Sequence, residues 1–218
     1  PIVSFFESVF AATMKITDWI MYFAAPGIFA LTASAVSSFG IDIFASISKY
    51  LLVLFVGFML QLCVVYPLFL KFFSKVNIVM LYSAVAEAMM VAFGTASSSA
   101  TLPLTIACCE KRGISHKISS FVLPLGATLN MDGTALLQTV AVIFLAQAYD
   151  VTLTPFLIIQ IALLAIVSSS TCAGIPGAGL ITIALILNGM GLSPEQLVVG
   201  FAFLFTIERI TDMMRTLV

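Results

Sequence analysis

The feature that most constrains this chain is a short polar stretch, Asn130-Met131-Asp132-Gly133-Thr134, in the middle of an apolar run from Ile118 to Ala148. As a helix, the run is long enough to cross the roughly 30 Å hydrocarbon core of a bilayer. An aspartate near the centre of such a helix costs about 2.5–3.5 kcal/mol on insertion, so it indicates a functional site. Gly133 predicts a break in the helix, which frees carbonyl oxygens. The stretch therefore predicts a site for cations and a polar solute at membrane depth.

The overall composition agrees with a membrane setting. Only 9% of the residues are charged and 61% are hydrophobic, whereas a soluble domain carries about 25% charged residues. The chain is therefore expected to be an integral membrane protein. A net charge of −1 without a basic patch argues against nucleic acid as a partner. The only histidine, His116, lies in a polar loop, so the four cysteines are interpreted as small hydrophobic residues rather than metal ligands.

The first 76 residues are predicted to hold two transmembrane helices. Apolar residues dominate 7–38 and 43–70, and each segment is long enough to span the bilayer. Pro26-Gly27 predicts a kink inside the first segment, which is tolerated where neighbouring helices satisfy the freed backbone groups.

The next segment, residues 77–112, is predicted to be a re-entrant hairpin. A polar tract from Gly94 to Pro103 cuts it into two apolar limbs. Both ends are flanked by basic residues, which mark the cytoplasmic side of a membrane protein. These residues are Lys71, Lys75, Lys111, Arg112 and Lys117. The segment is therefore expected to enter the membrane, turn at the tract and return to the same side.

The remaining segments repeat this arrangement from the opposite side. A broken helix over 115–147 crosses once, a second hairpin over 152–191 is cut by the tract from Ser168 to Gly179, and a last helix covers 194–218. The loops around the second hairpin contain no Lys or Arg, so its ends are expected outside the cell. Such interrupted segments in two halves are typical of inverted repeats with a site at the midplane. The predicted fold class is all-α integral membrane, with two re-entrant hairpins and a helix broken at the midplane.

Charged residues on the last helix form a second candidate site. Glu208, Asp212 and Arg215 recur at helical spacing and share one face, with Thr216 beside them. Asp212 suits a substrate ammonium, and Arg215 suits a carboxylate, which it binds bidentately. The alternative interpretation is an intramembrane ion pair among Glu208, Arg209, Asp212 and Arg215.

The polar tracts of the two hairpins suggest further ligand groups. The serine-rich tips offer amide N–H groups and hydroxyls to a carboxylate, although the same groups also cap helices and form turns. Freed carbonyls near Asn130 and in residues 169–172 suit a hard cation such as Na⁺. Charge and size alone do not separate Na⁺ coupling from H⁺ coupling.

Four motifs together resemble the dicarboxylate/amino acid:cation symporter family, the glutamate transporter family. In chain order they are Ser97-Ser98-Ser99-Ala100-Thr101-Leu102-Pro103, Asn130–Thr134, Ala173-Gly174-Ile175-Pro176-Gly177-Ala178-Gly179 and Asp212-Met213-Met214-Arg215-Thr216. The resemblance covers nearly the whole chain and corresponds to the C-terminal two-thirds of the family. The sequence starts at Pro1 and stops at Val218 within a periodic segment, so it is expected to be part of a longer protein.

The resemblance implies a role for each motif residue. The implied substrate contacts are Ser97, Ser98, Ser99, Thr134, Ile175, Gly179, Asp212, Arg215 and Thr216. Within this set, Thr134 and Arg215 contact the side-chain carboxylate of the substrate, and Asp212 contacts its amino group. The implied cation sites use the carbonyls of Gly126 and Asn130, the carbonyls of Thr128, Ser169, Ser170 and Cys172, and the side chains of Asn130 and Asp132.

The resemblance also implies a function. It predicts a secondary active symporter rather than an enzyme, with no cofactor, with Na⁺ or H⁺ as coupling ion, and with an elevator-like movement of the hairpin core. It further predicts a multi-pass protein of the cell membrane that forms a homotrimer through N-terminal helices not contained in this sequence. Arg215 together with Asp212 favours an acidic amino acid, glutamate or aspartate. The alternatives are a C4-dicarboxylate or neutral amino acid symporter, an ion channel, and an intramembrane aspartyl protease using Asp132 and Asp212.

Two positions depart from family patterns. Ala96 stands where some prokaryotic members carry arginine, and Arg209 is a candidate to supply a comparable charge. Gln138 stands where the animal transporters have a glutamate linked to proton and potassium coupling. Its neutral amide favours a prokaryotic-type cycle.

Overall fold

The structure is a computed structural model that describes residues 2–23, 26–27, 29–30, 33, 37, 43–74, 76–189 and 193–218. Every regular element in these ranges is helical, which confirms the predicted all-α class. The α-helices are α1 (Ile2–Tyr22), α2 (Ile43–Leu60), α3 (Tyr66–Phe73), α4 (Ile78–Thr95), α5 (Ser98–Lys111), α6 (His116–Leu129), α7 (Asp132–Ala148), α8 (Pro155–Ser169), α9 (Ala178–Asn188) and α10 (Pro194–Leu217). A π-helical turn, Gln61–Val65, joins α2 to α3. Lys75, residues 190–192 and most of the chain around the predicted kink at Pro26-Gly27 lie outside the described residues.

Within the residues that the structure describes, three stretches are long and apolar enough to cross a membrane. They are Ala45–Phe73 with 29 residues, Ile78–Thr95 with 18 residues and His116–Ala148 with 33 residues. Large apolar side chains such as Phe72 and Phe121 remain exposed on these helices, as expected for a surface that faces lipid. The length of α4 alone would permit a crossing. Its predicted re-entrant path therefore stays a prediction.

The two predicted hairpins are each a pair of packed helices. In the first, α4 packs against α5, and the chain turns at Ala96, which has a left-handed backbone (φ 53°, ψ 31°). Ser97 then caps α5 by accepting a hydrogen bond from the Ala100 N–H. In the second, α8 packs against α9, and the loop between them ends at Gly177 with φ 84°. A residue with a Cβ rarely adopts that φ, so glycine suits this turn.

The long apolar run around the polar stretch is a broken helix, as predicted. The break lies at Asn130 (φ −97°, ψ 74°) and Met131 (φ −111°, ψ 55°), inside the predicted stretch and before the glycine that indicated it. Gly133 lies inside α7 and has another role, because a Cβ there would be 2.6 Å from the Arg215 carbonyl oxygen. The glycine therefore permits close contact between α7 and α10.

Helix α7 is the centre of the described core. It packs against α2, α8, α9 and α10. Leu54 and Phe58 of α2, Val142 of α7 and Leu187 of α9 are almost fully buried in the same cluster. Phe144 stacks on Phe203 of α10 with ring centroids 5.0 Å apart. Apolar packing therefore holds the broken helix against the last helix. Each of these two helices carries one of the candidate sites predicted from the sequence.

Candidate binding site at the hairpin tips, the helix break and the last helix

Asp212 and Arg215 form a buried ion pair on α10. Their exposed fractions are 2% and 7%, and Arg215 Nε donates to Asp212 Oδ1 at 2.5 Å. Arg215 Nη1 donates to the Thr134 hydroxyl at 3.0 Å, and Nη2 donates to the Ile175 carbonyl at 3.3 Å. A buried pair is tolerated only where further hydrogen bonds satisfy both charges. The alternative interpretation of this face as an ion pair is therefore partly right, because these two residues do pair in this state.

The loop of the second hairpin closes over this pair. The Gly177 N–H donates to Asp212 Oδ2 at 2.7 Å, so both carboxylate oxygens are engaged. A Cβ on Gly179 would lie 3.5 Å from Arg215 Nη1, which shows how closely the start of α9 approaches the guanidinium. The position of the loop is thus tied to the charges on α10.

The tips of the two hairpins are in direct contact. The Gly174 carbonyl accepts hydrogen bonds from the Ser97 hydroxyl at 2.9 Å and from the Ser99 N–H at 3.1 Å. A Cβ on Gly174 would come within 2.9 Å of Ser99 Oγ and 3.3 Å of Ser98 Cβ. The serine tip and the glycine tip are therefore closed on each other, joined by hydrogen bonds from a serine hydroxyl and a backbone N–H to one carbonyl.

A cavity of about 450 Å³ lies beside the guanidinium. Small-molecule sites in proteins typically enclose about 300–1,000 Å³. Apolar residues of α4, α5 and α6 form part of its wall, including Ala88, Leu102 and Val122. The predicted site residues that line it are Ser98, Gly126, Asn130, Asp132, Thr134, Arg215 and Thr216. The cavity therefore joins predicted substrate residues and predicted cation residues in one space.

The other predicted substrate residues lie around this cavity. Ser97 and Ser99 belong to the contact between the tips, while Ile175 and Gly179 approach the guanidinium from the second hairpin. Asp212 instead lines a small neighbouring cavity that also borders Glu208 and Tyr50. The structure thus brings all nine residues to one region, although Asp212 lies behind Arg215.

The predicted cation residues are brought together less completely. Asp132 borders the main cavity with Asn130 and Gly126, and the Gly126 carbonyl accepts the Asn130 N–H at 3.0 Å. Among the described residues, no group of three or more His, Cys, Asp or Glu could hold a metal ion. The available donors are carbonyl, amide and carboxylate oxygens at a broken helix, which fit a hard cation such as Na⁺.

The residues of the second implied cation site are in different environments. Cys172 is buried and packs with Met131 at the helix break. The hydroxyls of Ser169 and Ser170 donate to the carbonyls of Ile166 and Val167 within the same turn. Thr128 is exposed, and its hydroxyl donates to carbonyls of its own helix. Of this set, the structure places Cys172 directly against the break.

Several polar contacts were not predicted from the sequence. Asp132 Oδ2 accepts hydrogen bonds from Gln61 Nε2 at 3.0 Å and from the Tyr66 hydroxyl at 2.8 Å. Gln138, which has no exposed surface, is bonded to Ser168 and Thr182. The available signal was the occurrence of glutamines inside apolar helices, where a polar side chain requires a partner.

Two further predictions concern charged residues. Arg209 is exposed on α10, so in this state it does not supply a charge to the main cavity. Asp132 and Asp212 have different partners, Gln61 with Tyr66 and Arg215 with Gly177. A pair of catalytic aspartates would share one site, so this geometry does not favour the aspartyl protease alternative.

Comparison with known proteins identifies the family. The sequence pattern of the sodium:dicarboxylate symporter family matches residues 1–218. The chain belongs to the sodium:dicarboxylate symporter family. This family consists of sodium-coupled symporters of dicarboxylates and amino acids rather than enzymes, and the present member is a multi-pass protein of the cell membrane.

Relatives of this family member include amino acid transporters of animals. The neutral amino acid transporter B(0) of Oryctolagus cuniculus is 40% identical over 213 residues, which cover 96% of this chain and 39% of the relative. The human neutral amino acid transporter A is 36% identical over 215 residues, 97% of this chain and 40% of the relative. A protein of Caenorhabditis elegans named "Putative sodium-dependent excitatory amino acid transporter glt-4" is 35% identical over 222 residues, 100% of this chain and 44% of the relative. The chain therefore spans about two-fifths of the length of these relatives, less than the two-thirds that the resemblance implied.

Proposed function

We propose that this chain forms the substrate- and cation-binding core of a secondary active symporter that imports an acidic amino acid, glutamate or aspartate, with Na⁺ as coupling ion. The observation that carries the proposal is the buried pair of Asp212 and Arg215 beside a cavity of about 450 Å³. An acidic amino acid carries one ammonium and two carboxylates. The pair offers an anion for the ammonium and a guanidinium for the second carboxylate.

The contacts of Arg215 in this structure support an exchange with substrate. Its Nη1 and Nη2 groups now donate to neutral acceptors, the Thr134 hydroxyl and the Ile175 carbonyl. A carboxylate is a better acceptor for a guanidinium than a neutral group is, because both partners are then charged and two parallel hydrogen bonds can form. The side-chain carboxylate of the substrate would therefore replace the Ile175 carbonyl, while Thr134 would turn its hydroxyl toward the bound carboxylate.

Displacement of the Ile175 carbonyl would also loosen the loop of the second hairpin. Three hydrogen bonds hold the loop. The Ile175 carbonyl accepts from Arg215, the Gly177 N–H donates to Asp212, and the Gly174 carbonyl accepts from the Ser97 hydroxyl. We assign the role of gate to this loop because every one of these bonds involves a predicted substrate residue. The α-carboxylate of the substrate would be bound between the serine tip and the glycine tip, where backbone N–H groups are present.

The proposed coupling to Na⁺ rests on the break between α6 and α7. Asp132 and Asn130 border the same cavity as Arg215, and Met131 packs against Cys172 of the second hairpin. A cation at the break would therefore order residues that also shape the substrate site. The elevator-like movement, the homotrimer and the choice of Na⁺ over H⁺ belong to this proposal and are supported by the family resemblance.

A second candidate is a neutral amino acid symporter. Two of the relatives are named neutral amino acid transporters, and in this structure Arg215 is already paired with Asp212. A guanidinium that stayed paired would leave no free cation for a side-chain carboxylate. We favour the acidic substrate because Arg215 lines the main cavity, where its guanidinium can bind a carboxylate bidentately. A C4-dicarboxylate is less well matched, because it has no ammonium for Asp212.

Calorimetric titration of the purified protein distinguishes these candidates. In the presence of Na⁺, aspartate or glutamate should bind, whereas alanine, serine and succinate should bind at least about 100-fold more weakly, which equals about 2.7 kcal/mol. Choline in place of Na⁺ should abolish binding. Tight binding of alanine or serine with no binding of aspartate would support the neutral candidate and overturn the acidic one.

A further inference from the structure

The helix before the first hairpin is interrupted by an unusual turn. Residues Gln61–Val65 are π-helical, and the Tyr66 N–H donates to the Gln61 carbonyl five residues earlier. Pro67 follows and has no N–H to donate to the Cys63 carbonyl, so the regular α-helical bonding is interrupted at this point. Single π-turns inside α-helices are rare and frequently lie at functional sites.

The π-turn determines where two polar side chains point. In a regular α-helix, positions five residues apart differ by about 140° around the axis, because each residue adds about 100°. A π-turn has wider coils, so Gln61 and Tyr66 are brought toward the same side. Both side chains reach the same atom, Asp132 Oδ2, at 3.0 Å and 2.8 Å.

The turn is also anchored by the first hairpin. The Tyr82 hydroxyl of α4 donates to the Leu62 carbonyl inside the π-turn. A carbonyl that lacks its normal helical partner needs such a donor when it is buried. The turn is therefore held from two sides, by Tyr82 on α4 and by Asp132 on α7.

We propose that Gln61 and Tyr66 are positioning residues for the cation-binding carboxylate of Asp132, an inference that rests on the proposed function. Within the described part of the chain, both hydrogen bonds to the Asp132 side chain go to Oδ2. Two donors on one oxygen fix the plane of the carboxylate and leave Oδ1 for a cation at the cavity that Asp132 borders. The cation then meets an oxygen that is already ordered.

Loss of such a supporting residue typically lowers metal affinity by about 10–100-fold. Tyr66→Phe and Gln61→Leu should each weaken Na⁺ binding by about 10-fold. The readout is the melting temperature of the purified protein against Na⁺ concentration without substrate, because a ligand stabilises the folded state according to its concentration relative to Kd. Calorimetric binding of aspartate at saturating Na⁺ should remain close to that of the unchanged protein.

Tyr149→Phe is the matched control. The Tyr149 hydroxyl donates to the Gln196 carbonyl at 2.7 Å, at the other end of α7 from Asp132. This variant should lower the melting temperature at every Na⁺ concentration by the same amount, so that the apparent Na⁺ affinity is unchanged. If Tyr66→Phe and Gln61→Leu behaved in the same way as this control, the two residues would be structural and the inference would be wrong.

The π-turn itself can be tested with Pro67→Ala. Alanine restores the N–H of a regular helix, which should turn Gln61 and Tyr66 apart and weaken Na⁺ binding by about 10-fold. In the Gln61→Leu, Tyr66→Phe background the same change should have no further effect, because non-additivity is expected of residues that act together. Equal losses of Na⁺ affinity in both backgrounds would contradict the inference.

A protein that binds aspartate equally well without Na⁺ would instead refute the proposed function.

Discussion

At the scale of single residues, we propose that Arg215 decides which substrates the site accepts. Its guanidinium is buried and contacts α7, α10 and the loop of the second hairpin. A small thiol at this position would remove the only positive charge that lines the main cavity within the described residues. The site would then keep Asp212, beside the main cavity, for an ammonium and would lose the cation that pairs with a second carboxylate.

Arg215→Cys should therefore lower aspartate affinity by at least about 100-fold and permit binding of neutral amino acids. The expected cost follows from removing one member of a buried charge pair, which is about 2–5 kcal/mol. Calorimetric titration with aspartate and with serine measures both effects. Arg209→Cys is the control, since Arg209 is exposed on the same helix and its loss should change neither affinity. Unchanged aspartate affinity in Arg215→Cys would refute the assigned role.

The candidate residues were predicted unevenly from the sequence. Asp132, Asp212 and Arg215 were predicted because charge in an apolar helix is costly and has few explanations other than function. Gln61 and Tyr66 were not, because their partner Asp132 is 71 and 66 positions away and neither residue is charged. Long-range pairing of neutral polar groups produces no local pattern, so only the three-dimensional structure reveals it.

At the scale of helices, the contact between α7 and α10 depends on Gly133. A Cβ there would be 2.6 Å from the Arg215 carbonyl oxygen and 3.3 Å from Arg215 Cα, and backbone atoms cannot move aside as a flexible side chain does. Gly133→Ala should destabilise the protein by about 1–3 kcal/mol through forced separation of the helices. Thermal unfolding measures this. Gly94→Ala, where a Cβ would meet no atom within 4 Å, should leave the melting temperature unchanged or raise it.

A polar cluster fastens the second hairpin to α7. Ser168 of α8 donates to Gln138 Oε1 at 2.7 Å, Gln138 Nε2 donates to Thr182 of α9, and Thr182 donates to the Gly179 carbonyl at 2.8 Å. Gln138→Leu should lower the free energy of unfolding by about 1–3 kcal/mol, because the hydroxyls of Ser168 and Thr182 lose their partner. Thr139→Val on the same helix loses only a bond to the Ala135 carbonyl of its own helix and should cost less. Equal melting temperatures for both variants would show that the cluster does not fasten the hairpin.

The helices themselves were largely predictable, and their breaks were less so. Apolar limbs separated by Gly, Pro and Ser tracts predicted the paired helices α4 with α5 and α8 with α9. The break in the long apolar run lies inside the predicted polar stretch, at Asn130 and Met131 and not at the glycine itself. A glycine indicates either a break or a close approach, and only the position of α10 decides between them. The sequence does not predict the π-turn, because a proline such as Pro67 near a helix start is normally compatible with a regular helix.

At the scale of the whole molecule, the described chain joins two hairpins, a broken helix and a last helix around one cavity. The hairpin tips meet at Gly174, and the charged pair on α10 is bonded to both α7 and the second hairpin. The predicted substrate residues and the predicted cation residues are therefore neighbours in one compact region. We expect this arrangement to permit coupled transport, since occupancy of either proposed site would change contacts that shape the other.

Uptake into proteoliposomes tests coupled transport of an acidic amino acid most directly. With an inward Na⁺ gradient, labelled aspartate should accumulate above its external concentration, and unlabelled glutamate but not alanine should compete. With equal Na⁺ on both sides, or with choline in place of Na⁺, accumulation should stop. Uptake that is equally fast without any ion gradient, or accumulation of alanine in place of aspartate, would contradict the account.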